Sequence, residues 1–385
     1  MKTIEERFTV SYSYPVVFCR DVFSRDCGVL EELLLREGGG LQRVLVVIDR
    51  GVERAWPELP GKVTEWIMAR RGVVELVSPI EFVAGGEFVK KQDGVVERLI
   101  KVAYQAHVGR KDTFLVIGGG AVQDVVGFAA AQIHRGCRVI RLNTTTLSQA
   151  DAGVGVKNGV DYGACKNFLG TFAPPFAVVN DVAFLETLSE RDWRNGISEA
   201  VKVAVIKDAA FLDWLAAHAD ALRMRDMAAM AEMVERTAAL HLAHIAHGGD
   251  AFERGVARPL DFGHWSAHRL EALTCYQLSH GEAVAIGVAL DMVYASLLGW
   301  VTPVACSRVV GVLRNCGLRV WSPEVALRGT DGSLALLEGL RQFREHLGGA
   351  LCVTLPDGLG ARKEVHEMDE RLLERAVELL RERYA

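Results

Sequence analysis

The sequence predicts a two-part chain: an α/β N-terminal domain with a parallel sheet over residues 1–185, then an all-α C-terminal domain over residues 186–385. Three observations carry this prediction. The first half alternates short β-branched runs with helix-compatible stretches, the pattern of a parallel sheet flanked by helices. After about Asp181 the texture changes to long helical periodicity. No Pro/Ser-rich linker, internal repeat or low-complexity tract interrupts the 385 residues, a length that suits two ordinary cores.

The elements follow in order. RVLVVID, residues 43–49, is a buried parallel strand with Asp49 at its carboxyl end. Val73–Val77 is a second strand, followed by AGGEFVKK from Ala84 to Lys91. Phe114–Ile117 runs into Gly118-Gly119-Gly120 and the helical AVQDVVGFAAAQIH, a strand–glycine turn–helix arrangement that brings phosphate to backbone N–H groups. Arg138–Leu142 leads to Asn143-Thr144-Thr145-Thr146. In the second half Ser189 is a good N-cap for a helix through Glu199 and Lys202, which face the same way. Asp208 caps the next helix, a longer one runs from Met227 to His247, and residues 259–297 are helical after an opening loop. An amphipathic helix from Asp369 to Tyr384 closes the chain.

Composition excludes several classes. Half the residues are hydrophobic and 24% are charged, a globular profile. A net charge of -5 offers no basic footprint for nucleic acid or an acidic membrane. The N-terminus is acidic where a signal peptide needs an apolar core, and no run approaches a membrane span, so the chain reads as cytoplasmic. Eight cysteines without a C-x-x-C pair read as buried, reduced thiols.

The chemistry concentrates in PLDFGHWSAHRLEALTCYQLSHGEAVAIG, residues 259–287. His264 and His268 share a helix face, and His280 stands at a helix start. A histidine pair needs one further ligand to hold a metal. The GGG turn reads equally as a tight connection or a phosphate turn. Asp49 is placed to bind a dinucleotide ribose, yet no G-x-G-x-x-G follows its strand, which disfavours an ordinary Rossmann dehydrogenase. The glycine-rich loop DAGVGVKNGVDYGACKN, Asp151 to Asn167, is a surface turn or an anion cradle. Its continuation FLGTFAPPFAVVND looks buried, which favours the cradle.

Taken together, GGGAVQDVVGFAAA, NTTTLSQADAGVGVKNGVDYGACKNFLGTFAPP, ISEAVKVAVIKD, DFGHWSAHRLE and SHGEAVAIG resemble the sugar phosphate cyclases, typified by 3-dehydroquinate synthase, over residues 43–300. The resemblance implies an NAD-binding α/β domain, a helical domain holding one zinc or cobalt ion, and a homodimer. It makes Glu199 the third metal ligand beside His264 and His280. It places Asp49, Glu87 and Lys90 on the adenosine side, and Gly119, Gly120 and Asp124 at the pyrophosphate and ribose. Thr144, Thr145 and Asp151 fall on the nicotinamide side. Lys157, Asn167, Lys202 and His268 grip a sugar phosphate, with Lys166 beside them, and Arg135 matches an arginine lent by a partner subunit.

By the same resemblance, bound NAD transiently oxidises a metal-polarised ring alcohol, phosphate is eliminated, the hydride returns, and an enolate closes a carbocycle. His268 is placed to assist proton movement. The departures lie at the substrate's other end. The family's Gly-Gly-Lys-Thr reads Gly155-Val156-Lys157-Asn158, and its asparagine before Gly-His is Asp261. Carboxylate-binding cations are missing or displaced: a lysine falls near Ala243 and His244, an arginine at Ala257 with Arg258 next, and a Lys-Lys pair gives way to FREHLGG, Phe343–Gly349. An unpaired carboxylate in a closed site costs on the order of several kcal/mol. A seven-carbon ketose phosphate without that carboxylate, such as sedoheptulose 7-phosphate, is therefore the expected substrate. Arg258, Arg344 and His346 are the residues that would restore carboxylate binding and 3-dehydroquinate synthase activity. A metal-dependent polyol or glycerol dehydrogenase, and a non-catalytic partner protein descended from a cyclase, are the rival readings.

Overall fold

The structure is a computed structural model that describes the chain except residues 164, 256–257 and 347–348 and the side chain of His346. It has two compact units: residues 1–143 with 156–180, and residues 144–155 with 181–385. The short segment Thr144–Gly155 thus belongs with the helices, although residues 156–180, which follow it in the chain, belong to the first unit.

The first unit is built on a seven-stranded sheet. Its strands are β1 (Val16–Cys19), β2 (Gln42–Asp49), β3 (Val74–Leu76), β4 (Glu81–Val83), β5 (Thr113–Gly118), β6 (Arg138–Asn143) and, after the hairpin strands β7 (Lys157–Tyr162) and β8 (Cys165–Phe172), β9 (Ala177–Asp181). The order is β1-β9-β6-β5-β2-β3, with β4 also on β2. Pairing from β9 through β6, β5 and β2 to β3 and β4 is parallel. Val44–Ile48 and Phe114–Ile117 are buried, as continuous apolar runs in a two-faced sheet must be. Asp49 ends β2 and caps the following short helix, its Oδ1 accepting the Gly51 N–H at 2.6 Å. The glycine turn leads to the Gly120–Gln132 helix, with Gly119 as its extended N-cap. A Cβ on Gly118 would lie 2.8 Å from Val122, so that glycine is required by close packing.

The glycine-rich segment differs from its sequence reading. It is a π-turn at Ser148–Ala152 followed by the antiparallel hairpin β7–β8. Gly159 faces Gly170 in register, and a Cβ on Gly159 would meet the Leu169 carbonyl at 2.9 Å, so glycine here permits strand pairing. The continuation expected to be buried is exposed in its first part, Phe168 at 63% and Leu169 at 41%, and becomes continuously buried from β9. Two cysteines, Cys165 and Cys275, are likewise exposed.

The second unit contains the Glu190–Lys207, Ala209–Arg223 and Met227–His247 helices, capped by Ser189, Asp208 and Asp226. Residues 259–297 form two helices, His264–Leu273 and His280–Leu297. The Pro303–Asn315 helix, a small antiparallel pair of β10 (Val353–Pro356) and β11 (Arg362–Val365), and the Glu370–Tyr384 helix also belong to it. Glycines bring the helices close. A Cβ on Gly281 would lie 2.4 Å from the Asn195 carbonyl, and one on Gly287 would lie 2.1 Å from the Gly263 carbonyl. No described helix is long and apolar enough to cross a membrane.

Candidate metal centre and cofactor-side cluster

Three helices of the second unit converge on one point. Glu199 lies in the middle of the Glu190–Lys207 helix, where Gly196 allows the backbone to approach Thr146: a Cβ there would lie 2.7 Å from it. His264 opens one helix and His280 another. The His280 helix is set by a capping box, with the Ser279 hydroxyl and Glu282 carboxylate exchanging bonds with each other's backbone N–H. The Ser279 hydroxyl also donates to Asn195 Oδ1 at 2.7 Å, tying this start to the Glu199 helix.

Glu199 Oε1 stands 3.5 Å from His264 Nε2 and 3.4 Å from His280 Nε2. Glu199 is 1% exposed, and Oε1 accepts no hydrogen bond of ordinary geometry. The imidazole tautomers follow from their other partners. His264 Nδ1 lies 3.1 Å from the Phe262 carbonyl, which can only accept, so Nδ1 carries the hydrogen and Nε2 the lone pair. His280 Nδ1 lies 3.4 Å from Glu271 Oε2, so when this ring is neutral Nδ1 keeps the hydrogen and Nε2 the lone pair. One carboxylate oxygen and two imidazole lone pairs, all within 4.8 Å of one another, fit a divalent ion of the zinc or cobalt type. Burial favours neutral His280, but Glu271 and Glu199 outweigh it and raise its pKa to about 10. Without a metal His280 therefore holds a proton on Nε2 as well, and a metal cation takes that lone pair by displacing the proton.

A charged ladder continues from the ligands. Lys202 is 2% exposed and ion-paired with Glu199 Oε2. Burial alone would lower the lysine, yet Glu199 and Asp151 raise it, with Asp261 contributing in the same direction. Burial likewise pushes Asp151 up, but Lys202 and His241 prevail and hold it at about 2. Asp151 Oδ1 is 2.7 Å from His241 Nδ1. The exposed His268 completes the histidine group, its ring 5.4 Å from that of His264 and 5.9 Å from that of His280. Thr145 forms a local turn with Ser148, while Thr144 is buried beside it. Arg258 is committed elsewhere: its Nε is 3.2 Å from Glu253, and its Nη atoms donate to the Gly255 and Glu253 carbonyls. Ala257 lies outside the described residues, as does the His346 side chain.

The first unit gathers the other expected residues. Lys90 Nζ donates to Asp124 Oδ2 at 2.6 Å and to Asn167 Oδ1 at 2.9 Å, and Glu87 pairs with Lys166 at 3.5 Å. Asp49 lies at the Gly118–Gly120 turn, where burial raises its pKa against the N–H groups of Gly51 and Gly119. Lys157 opens β7 and Arg135 lies in a 3-10 turn at positive φ. Lys157 is anchored through its backbone: its carbonyl accepts from Arg141 Nη2 at 3.2 Å, and that guanidinium also donates to Asn158 Oδ1 at 2.7 Å. Asn158 fills the space left by Gly127, where a Cβ would lie 1.9 Å from its Oδ1.

Sequence reasoning missed Glu271 and His241. Glu271 is seven residues after His264, two helical turns along the same face, and that spacing was available as a signal. His241 sits in a helix whose pattern does not single it out.

A parallel α/β unit joined in one chain to a helical unit with a Glu/His/His donor set defines a class, the sugar phosphate cyclases and their relatives. The comparisons narrow it. Residues 81–195 match 3-dehydroquinate synthase N-terminal and residues 196–335 match 3-dehydroquinate synthase C-terminal. The chain is 38% identical over 276 residues to 2-epi-5-epi-valiolone synthase of Streptomyces glaucescens, covering 71% of this chain and 69% of that one. It is 34% identical over 353 residues to 2-epi-valiolone synthase of Actinosynnema mirum, covering 88% and 91%. Its structure resembles that of 2-epi-5-epi-valiolone synthase from Streptomyces hygroscopicus subsp. jinggangensis 5008 with NAD+ and Zn2+ bound, with TM-score 0.86, 29% identity and coverage of 99% and 100%. The chain belongs to the 3-dehydroquinate synthase family of sugar phosphate cyclases.

Proposed function

We propose that this chain is an NAD- and divalent-metal-dependent cyclase that converts a seven-carbon ketose phosphate, such as sedoheptulose 7-phosphate, to a carbocycle with loss of phosphate. It acts in the cytoplasm as a homodimer in which Arg135 reaches the partner's substrate. The observation that carries the reading is the Glu199–His264–His280 donor set beside the buried Lys202 and the half-buried Asp151.

Bound at Glu199, His264 and His280, a zinc or cobalt ion supplies Lewis acidity toward neighbouring alcohol oxygens. Bound NAD supplies a reversible hydride acceptor, with Asp49, Glu87, Lys90, Gly119, Gly120, Asp124, Thr144 and Thr145 as its contacts. Lys202, held cationic by Glu199 and Asp151, stabilises negative charge on substrate oxygens. His268, exposed next to the two ligand histidines, takes up and returns a proton. Lys157 and Asn167 hold the phosphate, Lys166 beside them serves the cofactor, and Asp261 belongs to the substrate end where related enzymes meet a carboxylate.

Two observations favour the uncarboxylated substrate. The relative matched over 88% of this chain is named a 2-epi-valiolone synthase, and the structure matched over 99% of it is a 2-epi-5-epi-valiolone synthase. The guanidinium of Arg258, the nearest replacement cation in sequence, is already engaged by Glu253. Purified protein with NAD and cobalt, given each candidate substrate in turn, tests the proposal by phosphate release. Release from sedoheptulose 7-phosphate supports it, and turnover of the carboxylated shikimate-pathway substrate alone overturns it.

A further inference from the structure

One buried carboxylate near the ligand set takes no part in it. Asp291 lies in the His280–Leu297 helix with 0% exposure, among the buried Ala289, Leu290, Met292 and Val293. Its Oδ1 accepts the Trp265 indole N–H at 2.9 Å, and its Oδ2 accepts the Gly263 backbone N–H at 3.1 Å. These two donors flank His264 on either side. Gly263 has φ 79°, and a Cβ there would lie 2.9 Å from Val288, so the turn into the His264 helix has no side chain of its own to anchor it. Burial makes a carboxylate unfavourable at this position and raises its pKa to about 7. An apolar side chain would pack here without that penalty but could not hold two N–H groups in fixed directions.

We propose that Asp291 is a positioning residue for the metal centre: by bonding both neighbours of His264, it aims that imidazole's Nε2 at the ion. His280 and Asp291 are eleven residues apart on one helix, about three turns, and so project from nearly the same face. A single helix thus carries one ligand at its start and the anchor of a second ligand three turns later. The inference rests on Glu199, His264 and His280 being the ligands.

Cobalt titration of the metal-free full-length chain, with NAD affinity and melting temperature measured alongside, tests this. Asp291→Asn keeps the side chain's shape but turns an amide N–H toward one of the two donors. It should weaken cobalt binding by roughly tenfold or more while leaving NAD affinity within about twofold. Trp265→Phe removes one donor only and should weaken cobalt binding by a smaller factor, which decides the question if Asp291→Asn does not fold. Cobalt affinity within about twofold of wild type in the variants that fold overturns the inference, as does a loss of NAD affinity and melting temperature in step with that of cobalt. His264→Ala is the control for the ligand assignment: wild-type cobalt affinity in that variant overturns the assignment itself, and the inference with it.

Discussion

The Lys90 cluster of the first unit and the Lys202 cluster of the second use the same side chains to opposite ends. Around Lys90, the ammonium bonds Asp124 and Asn167 and Glu87 pairs with Lys166, so two ammonium groups meet two carboxylates. Around Lys202, the lysine is shared by Glu199 and Asp151, while Glu199 Oε1 faces two imidazole nitrogens with no ordinary hydrogen bond. The first cluster is neutralised from within, and its natural role is to shape a surface for a cofactor. The second has an excess of acceptors over donors that a cation completes.

Four substitutions put this contrast at risk, from the largest effect to the smallest. Glu199→Gln removes the ligand charge at the point of greatest imbalance; phosphate release should fall by roughly a thousandfold or more, with specific cobalt binding lost. Retained cobalt affinity would erase the distinction between the clusters. Lys202→Met leaves the buried Glu199 and the half-buried Asp151 sharing no cation and should cost about 3–5 kcal/mol in denaturant unfolding of the metal-free chain. Added cobalt should restore part of that loss, because a cation of either kind serves Glu199. Lys90→Met, the matched change in the first unit, should cost roughly 2–3 kcal/mol, weaken NAD binding and show no recovery with cobalt. Recovery with cobalt there would mean that the two clusters are not functionally separate.

The smallest effect concerns acid. Asp151 has a folded pKa of about 2, against roughly 3.9 in the unfolded chain. As pH falls, the unfolded chain takes up this proton first, so the carboxylate's stabilisation is complete above about pH 4 and is lost between about 4 and 2. Asp151→Asn should therefore cost roughly 2 kcal/mol at neutral pH in the metal-free chain, and its deficit should narrow below about pH 4. A deficit that does not change with pH would show that Lys202 is held by Glu199 alone.

The contrast also explains what could be read from the chain. β2, β5 and β6 are buried on both faces, so their β-branched runs were visible in sequence, and the Ser189, Asp208 and Asp369 caps are local signals. His264, His268 and His280 stand in one short stretch, and Glu199 was reached through the family resemblance. What escaped depends on distant parts of the chain meeting. The hairpin β7–β8 reads as a loop in sequence because glycines break its alternation, and Tyr162, Phe168, Leu169 and Phe172 are exposed. The four-residue β1 gives too little pattern to register. His241 and Asp291 acquire partners only through helix packing, and a lone histidine or aspartate in a helix has no signature of its own.

The π-turn at Ser148–Ala152 makes one part of the molecule sensitive to length rather than to composition. A π-turn holds one residue more per hydrogen-bonded loop than an α-helix. Removing a single residue from it would let the segment close as an ordinary helical turn, rotating Asp151 by about 100° away from His241 and Lys202. Conservative replacements there should be tolerated, whereas a one-codon deletion should disarm the charged ladder without altering any other side chain. Length variation in natural sequences or engineered libraries should accordingly avoid these five residues and gather in the connections around them.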